Sequence, residues 1–232
     1  MKKLLFSLGV ILPFFASANV VIGTTRVVYP DNQKEISVQL LNNGSEPSLV
    51  QAWIDDGDIR STPETANVPF LLQPPVVKVP AHSGQQLRIS FLNRHALQAD
   101  RESVFYLNVL DIPPVPENMQ GKNIMQLAVR SRIKLFLRPS HIQNHADESI
   151  QHLVLKRNKG TLTLTNSGPF FITLVGISDG TSKSNILGEG IMVAPYSTLN
   201  VAASSLPAPG TSLAVTQIND FGARIQTHTV MQ

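Results

Sequence analysis

Hydrophobic and polar positions alternate most regularly between Asn123 and Pro139. In an extended chain every second side chain points the same way, so such a stretch has one apolar and one polar face. The apolar face here consists of Met125, Leu127, Val129, Ile133, Leu135 and Leu137. The opposite face carries Gln126, Arg130, Arg132, Lys134 and Arg138. The alternation predicts one strand of about 16 residues, where about 5 or 6 are usual.

The two halves of this predicted strand differ in charge, because the cationic face begins only midway along it. A strand this long exceeds what one small sheet covers, so part of it is expected to run along or past an edge. Proteins usually protect an exposed apolar edge from pairing with another chain by a Lys, a Pro or a bulge. The segment from Met125 to Val129 has none of these. It therefore either belongs to the core or exists to be paired.

Short alternating runs separated by turn residues fill the chain from Asn19 to Leu110. With the long strand they make seven predicted strands, and no amphipathic helix lies between them. This pattern is typical of an antiparallel sandwich. The six shorter runs, bounded by turn residues such as Asn42-Asn43-Gly44-Ser45, are 20–28, 35–41, 49–54, 76–79, 86–91 and 104–110.

A second domain is predicted after Pro139. Proline cannot donate to a strand ladder, and the polar stretch from His141 to Ser149 is expected to be a linker. The domains are therefore placed at 19–140 and 141–232. Seven further runs predict a second, smaller sandwich: 153–156, 161–165, 170–177, 190–193, 198–201, 213–218 and 224–230.

The first eighteen residues have the features of a secretory signal peptide. A basic start, an apolar run from Leu4 to Phe15 and the ending Ala16-Ser17-Ala18 predict cleavage before Asn19. The apolar run is too short to span a membrane. Removing the signal lowers the Lys and Arg count from 19 to 17 against 16 acids, so the net charge falls from +3 to about +1. With no cysteine, this exported chain is expected to rely on its apolar core for stability.

The sequence contains no recognisable active site. It lacks a Gly-x-Ser-x-Gly elbow, a phosphate-binding glycine loop and a His-Glu-x-x-His pair. His141 and His145 are expected to be solvated in the linker. The run Asp55, Asp56 and Asp58 could bind calcium weakly, but it lacks the later bidentate Glu and is better explained as a solvated hairpin tip. We therefore expect no catalytic residue, no metal site and no cofactor.

The cationic row of Arg130, Arg132 and Lys134 does not predict nucleic acid binding. No aromatic side chains interleave it, and the net charge without the signal is close to zero. One interpretation is an ordinary solvated strand face. The other is a small anion site that uses one or two of these cations with an arginine from elsewhere in the chain.

Five blocks of the sequence resemble the PapD-like periplasmic chaperones of chaperone/usher pilus assembly. They stand in that family's order and spacing, and the resemblance covers essentially all of the chain after the signal. The short loop between Pro114 and Asn123 resembles the short-loop subclass. The blocks are Thr24 to Pro30, Asp100 to Asn108, Ile112 to Pro114, Ile133 to Pro139 and Ile218 to Ala223.

The resemblance implies an all-β chain of two immunoglobulin-like sandwiches in a boomerang arrangement with a cleft between them. It implies a periplasmic, non-enzymatic chaperone whose partners are pilin subunits and an outer-membrane usher. Arg26 and Lys134 match the positions that bind a subunit's C-terminal carboxylate. The matches to the strand donated to the subunit are Asn123, Met125, Leu127 and Val129. The matches to interdomain ion pairs are Glu102, Arg138 and Asp220.

One further expectation accompanies this interpretation, and two rival hypotheses remain. Without a subunit, the exposed edge is expected to allow self-association through Met125 to Val129. The rival from the structural class is a secreted two-domain immunoglobulin-like adhesive or fimbrial component, although the donor-like strand here ends the first of two domains. The rival from the enzyme class is an exported hydrolase, for which no nucleophile and base can be named.

Overall fold

The computed structural model describes residues 19–92, 98–115, 125–158, 160–179, 185–202 and 206–232. Within these ranges the chain forms two β-sandwiches, one before and one after residue 139. This architecture confirms the predicted fold class of two immunoglobulin-like sandwiches. No helix in the described ranges has the length and apolar character needed to cross a membrane.

The first sandwich consists of a four-stranded sheet in the order β1-β3-β7-β5 and a five-stranded sheet in the order β2-β9-β8-β4-β6. Neighbouring strands are antiparallel except for β2 and β9, which run parallel. The strands are β1 Val20–Ile22, β2 Arg26–Pro30, β3 Glu35–Asn42, β4 Ser48–Asp55, β5 Phe70–Gln73, β6 Val76–Val79, β7 Gly84–Phe91, β8 Ser103–Ile112 and β9 Val129–Arg138.

Alternating side chains from both sheets form the first core. Leu40, Leu87, Ile89, Leu107 and Leu135 are fully buried there. Burying a side chain of this size stabilises the fold by about 1.5–3 kcal/mol. Because Leu135 belongs to β9, the core fixes the position of the strand whose opposite face looks toward the second domain.

The predicted strand 20–28 is two strands that belong to different sheets. β1 pairs with β3, whereas β2 pairs with β9. The chain crosses between the sheets at Gly23, whose N–H donates to the Gln39 carbonyl at 2.8 Å. The crossing brings Arg26 to the start of β2. The predicted strands also omitted β5, a short run between Pro69 and Pro74.

The prediction of one continuous strand from 123 to 139 is wrong in its extent. The ladder between β8 and β9 runs from Ser103 opposite Leu137 to Asp111 opposite Val129. β8 ends at Ile112, and two prolines follow that cannot donate to a ladder. Residues 125–128 therefore lie beyond the paired strand. Asn123 lies outside the described residues.

The second sandwich contains all seven of its predicted strands, each shifted by two residues or fewer at its ends. Its sheets have the orders β10-β11-β14 and β13-β12-β15-β16. The strands are β10 Leu153–Asn158, β11 Thr161–Asn166, β12 Ile172–Ser178, β13 Ile191–Val193, β14 Ser197–Ala202, β15 Ser212–Ile218 and β16 Arg224–Val230. The core includes Leu155, Leu162, Leu164, Ile172 and Leu174.

The connection between the domains differs from the predicted linker. Residues Ser140–His152 form a 3₁₀ helix, a long example of an element that usually spans one turn. Ile150 near its end packs against the second core, and Ser149 is buried. His145 is exposed and lies 3.8 Å from Glu148. The expectation of solvated histidines holds for His141 and His145, which are both exposed, although the segment is helical.

Candidate anion cleft and exposed strand edge

Arg26 and Lys134 are direct neighbours across the parallel pair of β2 and β9. The next residues along these strands, Val27 and Leu135, are also paired and point into the first core. Since successive side chains alternate, Arg26 and Lys134 share the opposite face of the sheet. That face looks toward the second domain, because Arg26 Nη1 donates to the Ile218 carbonyl at 3.1 Å. Lys134 Nζ likewise donates to Thr173 Oγ1 at 3.3 Å.

This anchor pair, Arg26 and Lys134, combines two partly desolvated cations that no carboxylate neutralises directly. Among the described residues neither forms an ion pair, and Arg26 Nε is buried without a hydrogen-bond partner. Burial, and then the charge of Arg26, lowers the pKa of Lys134. Burial also lowers the pKa of Arg26, against the opposing effect of Asp220 and Glu102. Two adjacent desolvated cations are unfavourable alone, and an anion between them would be stabilised.

A cavity of about 300 Å³ opens between the domains beside the anchor pair. Arg26 lines it from the first domain, and Phe171, Ile218, Phe221 and Ile225 line it from the second. Lys134 is not among the lining residues, and its ammonium group contacts Thr173. Glu102, Arg138 and Asp220 also line the cavity, so it contains charged groups of both signs, with apolar side chains of the second domain across from Arg26.

The three residues predicted to form interdomain ion pairs meet next to this cavity. Arg138 Nε lies 2.6 Å from Glu102 Oε1, and its two terminal nitrogens lie 2.6 and 2.9 Å from the Asp220 oxygens. Glu102 also accepts the Phe171 N–H at 2.8 Å. Burial raises the pKa of Glu102, against the lowering effect of Arg138. The cluster joins Glu102 and Arg138 of the first domain to Asp220 and Phe171 of the second.

The described residues of the predicted donor strand lie outside the core. Met125 is 87%, Leu127 70% and Val129 43% exposed. β2 pairs with β9 only over Lys134 to Arg138. In the described part of the chain, the β2 side of β9 from Val129 to Ile133 has no neighbouring strand. Three exposed apolar side chains thus lead into a bare strand edge, and that edge leads into the anchor pair.

Two family models match the chain in succession. Residues 19–143 match "Pili and flagellar-assembly chaperone, PapD N-terminal domain", and residues 148–229 match "Pili assembly chaperone PapD, C-terminal domain". The chain belongs to the PapD family of pili assembly chaperones. The resemblance predicted from the sequence blocks is confirmed.

Relatives of this PapD-family chain are similar along nearly its whole length. It is 40% identical over 228 residues to chaperone protein MrkB of Klebsiella pneumoniae, with 97% of each chain covered. It is 41% identical over 222 residues to the probable fimbrial chaperone YehC of Escherichia coli strain K12, covering 96% of this chain and 89% of YehC. The crystal structure of the YadV chaperone superposes with a TM-score of 0.74 at 31% identity, covering 92% of this chain and 100% of that one. The protein is a pilus assembly chaperone.

The sequence did not predict how the other two cations of β9 are held in this PapD-family fold. Arg132 Nε and Nη2 lie 3.1 and 2.5 Å from the two oxygens of Asp55 on β4. Asn108 Nδ2 on β8 donates to the same carboxylate at 2.6 Å. Burial raises the pKa of Asp55, but the hydrogen bonds from Arg132, Asn108 and Gly57 outweigh burial and lower it. The Arg132 guanidinium also stacks 3.7 Å over the Tyr106 ring.

Arg130 extends this network toward the exposed edge. Its Nε and Nη2 atoms donate to Asn108 Oδ1 at 2.9 and 2.7 Å, and Nη1 donates to the Ile59 carbonyl at 2.8 Å. The guanidinium lies 4.9 Å from the centre of the Trp53 ring. A solvated strand face is therefore the wrong interpretation for Arg130 and its neighbour Arg132. Lys134, whose ammonium group contacts Thr173, takes no part in this network.

The same network overturns the reading of Asp55 as part of a solvated hairpin tip. Asp55 is 1% exposed, and its oxygens already accept bonds from the Arg132, Asn108 and Gly57 groups. Asp55, the first candidate ligand of the weak calcium site considered from the sequence, is thus engaged in bonds to protein donors. In the described ranges no group of three or more His, Cys, Asp or Glu residues is placed to hold a metal ion.

Proposed function

We propose that this pilus assembly chaperone binds a pilin subunit in the periplasm by lending it a strand, and then delivers it to an outer-membrane usher. Met125, Leu127 and Val129 enter the subunit's open apolar groove, with Asn123 extending the same face. Arg26 and Lys134 hold the subunit's C-terminal carboxylate. The observation that carries the proposal is that exposed apolar side chains and a bare strand edge lead along one segment to Lys134 on β9, which pairs with a second desolvated cation, Arg26 on β2.

The apolar contacts supply the larger share of the affinity. A pilin missing one strand exposes unsatisfied backbone groups and an apolar trench, which are both costly in water. A lent strand satisfies both. Burying Met125, Leu127 and Val129 contributes about 5–9 kcal/mol together before ordering costs. A charged hydrogen bond to a carboxylate adds about 1.5–3 kcal/mol.

The anchor pair fixes the register of the lent strand. Sliding the strand by one residue would present Gln126 and Ala128 to the groove in place of Leu127 and Val129. Lys134 lies five residues after Val129, a span of about 17 Å in an extended chain. A carboxylate held at that fixed distance excludes the slip. Arg26 and Lys134 therefore contribute specificity as well as affinity.

The charged cluster of Glu102, Arg138 and Asp220 holds the angle between the domains, and thereby the width of the cleft. Its position supports this role, since its ion pair between Arg138 and Asp220 crosses the interface. A buried ion pair is a weak source of stability but can fix one arrangement among several.

We place the domain boundary after residue 140, within the first turn of the 3₁₀ helix. The proposed mechanism forms and breaks no covalent bond, so the chain is not an enzyme.

The first test is co-purification of a pilin subunit with Arg26→Ala and Lys134→Ala variants from periplasmic extracts. Each variant is expected to fold, because neither cation forms an ion pair among the described residues, and Glu102 and Asp220 keep their ion pairs with Arg138. Each is expected to lose the complex. Arg88→Ala, which removes an exposed arginine from β7, is the matched control and should bind as the wild type does. An undiminished complex with Arg26→Ala would contradict the proposed anchor.

The second test targets the lent segment with Leu127→Glu. The substitution places a charge in the subunit's groove and should abolish co-purification without changing the melting temperature. Leu92→Glu is the control, because Leu92 is 65% exposed against 70% for Leu127. In the absence of a subunit, sedimentation should show self-association of the wild type that Leu127→Glu reduces. If Leu127→Glu sediments as the wild type does, self-association does not occur through this edge.

A further inference from the structure

An exposed aromatic side chain lies on the rim of the cleft in the second domain. Phe221 occupies the tip of the hairpin between β15 and β16 and is 87% exposed, as much as Met125. It follows Asp220, whose carboxylate is bound to Arg138. The family resemblance gave a role to Asp220 and none to Phe221. A large apolar side chain in this position needs a physical explanation.

The hairpin holds Phe221 in a fixed place. Asn219 Oδ1 accepts the N–H groups of Phe221 and Ala223 at 3.1 and 2.9 Å. The backbone of Asn219 also receives a bond from Gly222 at 3.0 Å and donates one to Ala223 at 3.0 Å. Gly222 has a φ of +82°, and a Cβ there would lie 2.3 Å from Thr25 Oγ1. The tip is therefore closed internally and packed against the first domain.

Phe221 and Arg26 line the same cavity of about 300 Å³ from opposite domains. Arg26 Nη1 binds the Ile218 carbonyl at the end of β15, so the guanidinium lies at the base of the hairpin that carries Phe221. Ile225, which is 41% exposed on β16, adds to the apolar wall. A chain end held at Arg26 carries its carboxylate and its last side chain on the same Cα. The apolar wall formed by Phe221 and Ile225 is in the same cavity and is available to that side chain.

We propose that Phe221, supported by Ile225, forms a subsite for the side chain of the last residue of the bound subunit. The subsite favours chain ends with an aromatic or large aliphatic side chain over those with alanine. The inference rests on the proposed function, because it takes the carboxylate to be bound at Arg26. Phe221 acts here as a specificity residue, and Arg26 remains the anchor. An aromatic contact of this kind is expected to change affinity by about fivefold.

The test measures binding of synthetic peptides to the full purified chain. The peptides share one acetylated sequence of alternating valine and threonine and end in phenylalanine or alanine with a free carboxylate, or in phenylalanine carboxamide. The wild type is expected to bind the phenylalanine acid about fivefold more tightly than the alanine acid. Phe221→Ala should remove this preference and leave the affinity for the alanine acid within about twofold. Phe221→Tyr, which keeps the ring, should retain the preference.

The outcomes separate this inference from the function on which it rests. If Arg26→Ala and the carboxamide bind as well as the wild type and the acid, the proposed carboxylate anchor fails. If both weaken binding but Phe221→Ala keeps the fivefold preference, the anchor stands and the subsite is overturned. An equal loss for both acids in Phe221→Ala also overturns the subsite. If the wild type binds neither the phenylalanine acid nor the alanine acid, the subsite is overturned as well.

Discussion

The two halves of segment 125–138 share one alternation of side chains but differ in their neighbours. Leu135 is 0% exposed, whereas Leu127, on the same face of the extended chain, is 70% exposed. In the second half, β2 and β8 flank the strand on both sides. Around Leu127, before Val129, β8 has ended at Ile112 and β2 lies further along the segment. Alternation decides which side chains share a face, and the neighbouring strands decide whether that face is core or interface.

The largest expected effect comes from truncating the same residue type in each half. Leu135→Ala should lower the free energy of unfolding by about 2–5 kcal/mol, because it leaves a cavity in the first core. Leu127→Ala should change the free energy of unfolding by less than about 0.5 kcal/mol, since the side chain is already in water. Urea unfolding followed by tryptophan fluorescence measures both. Comparable losses of unfolding free energy in the two variants would mean that the two halves do not differ in their contribution to the core.

Much of the fold could be predicted from the sequence, because strands buried on one face alternate in a way that is readable residue by residue. All seven strands of the second domain were predicted in this way. The strand boundaries that were predicted wrongly depend on parts of the chain that are distant in sequence. The crossing at Gly23 depends on which sheet each strand joins, and the late start of β9 at Val129 depends on where β8 stops. Neither fact is encoded in the alternation itself.

The site was predicted in part, and the resemblance supplied the long-range information. Alternation alone could not show that Arg26 pairs with Lys134, since parallel neighbours far apart in sequence leave no local pattern. The resemblance carried no information on the network of Arg130, Arg132 and Asp55. A signal existed, because Asp55 on β4 and the two alternating arginines on β9 lie on the two strands that flank β8. Using that signal required the register between the strands.

The second prediction concerns the polar face of the paired half. Asp55→Ala should lower the free energy of unfolding by about 1–3 kcal/mol, because it leaves the Arg132 and Asn108 donors without their acceptor. Asp58→Ala is the control, since its carboxylate side chain is 53% exposed and lies 3.5 Å from an exposed arginine. That change should stay within about 0.5 kcal/mol. Equal effects of the two substitutions in chemical unfolding would show that the network does not hold β9.

The third and smallest expected effect is the pH dependence of subunit binding at Lys134, the first residue of β9 that pairs with β2. Burial, and then Arg26, lowers the pKa of Lys134 from its ordinary value of 10.5. A bound carboxylate favours the charged ammonium group and therefore raises this pKa. Binding then takes up protons at pH values between the lowered and the raised pKa. Affinity must consequently fall as the pH rises through that window, which begins below the pH at which an ordinary lysine titrates.

Affinity is expected to fall about fivefold as Lys134 becomes neutral, since a neutral hydrogen bond replaces a charged one. Affinity for the phenylalanine acid peptide, measured by titration from pH 7 to pH 10, provides the measurement. Lys134→Arg is the matched control, because a guanidinium stays charged throughout this range and should give a flat profile. A wild-type profile as flat as that of Lys134→Arg would show that the Lys134 charge does not contact the carboxylate. A falling profile in both would assign the titration to another group, and the anchor would then rest on Arg26 alone.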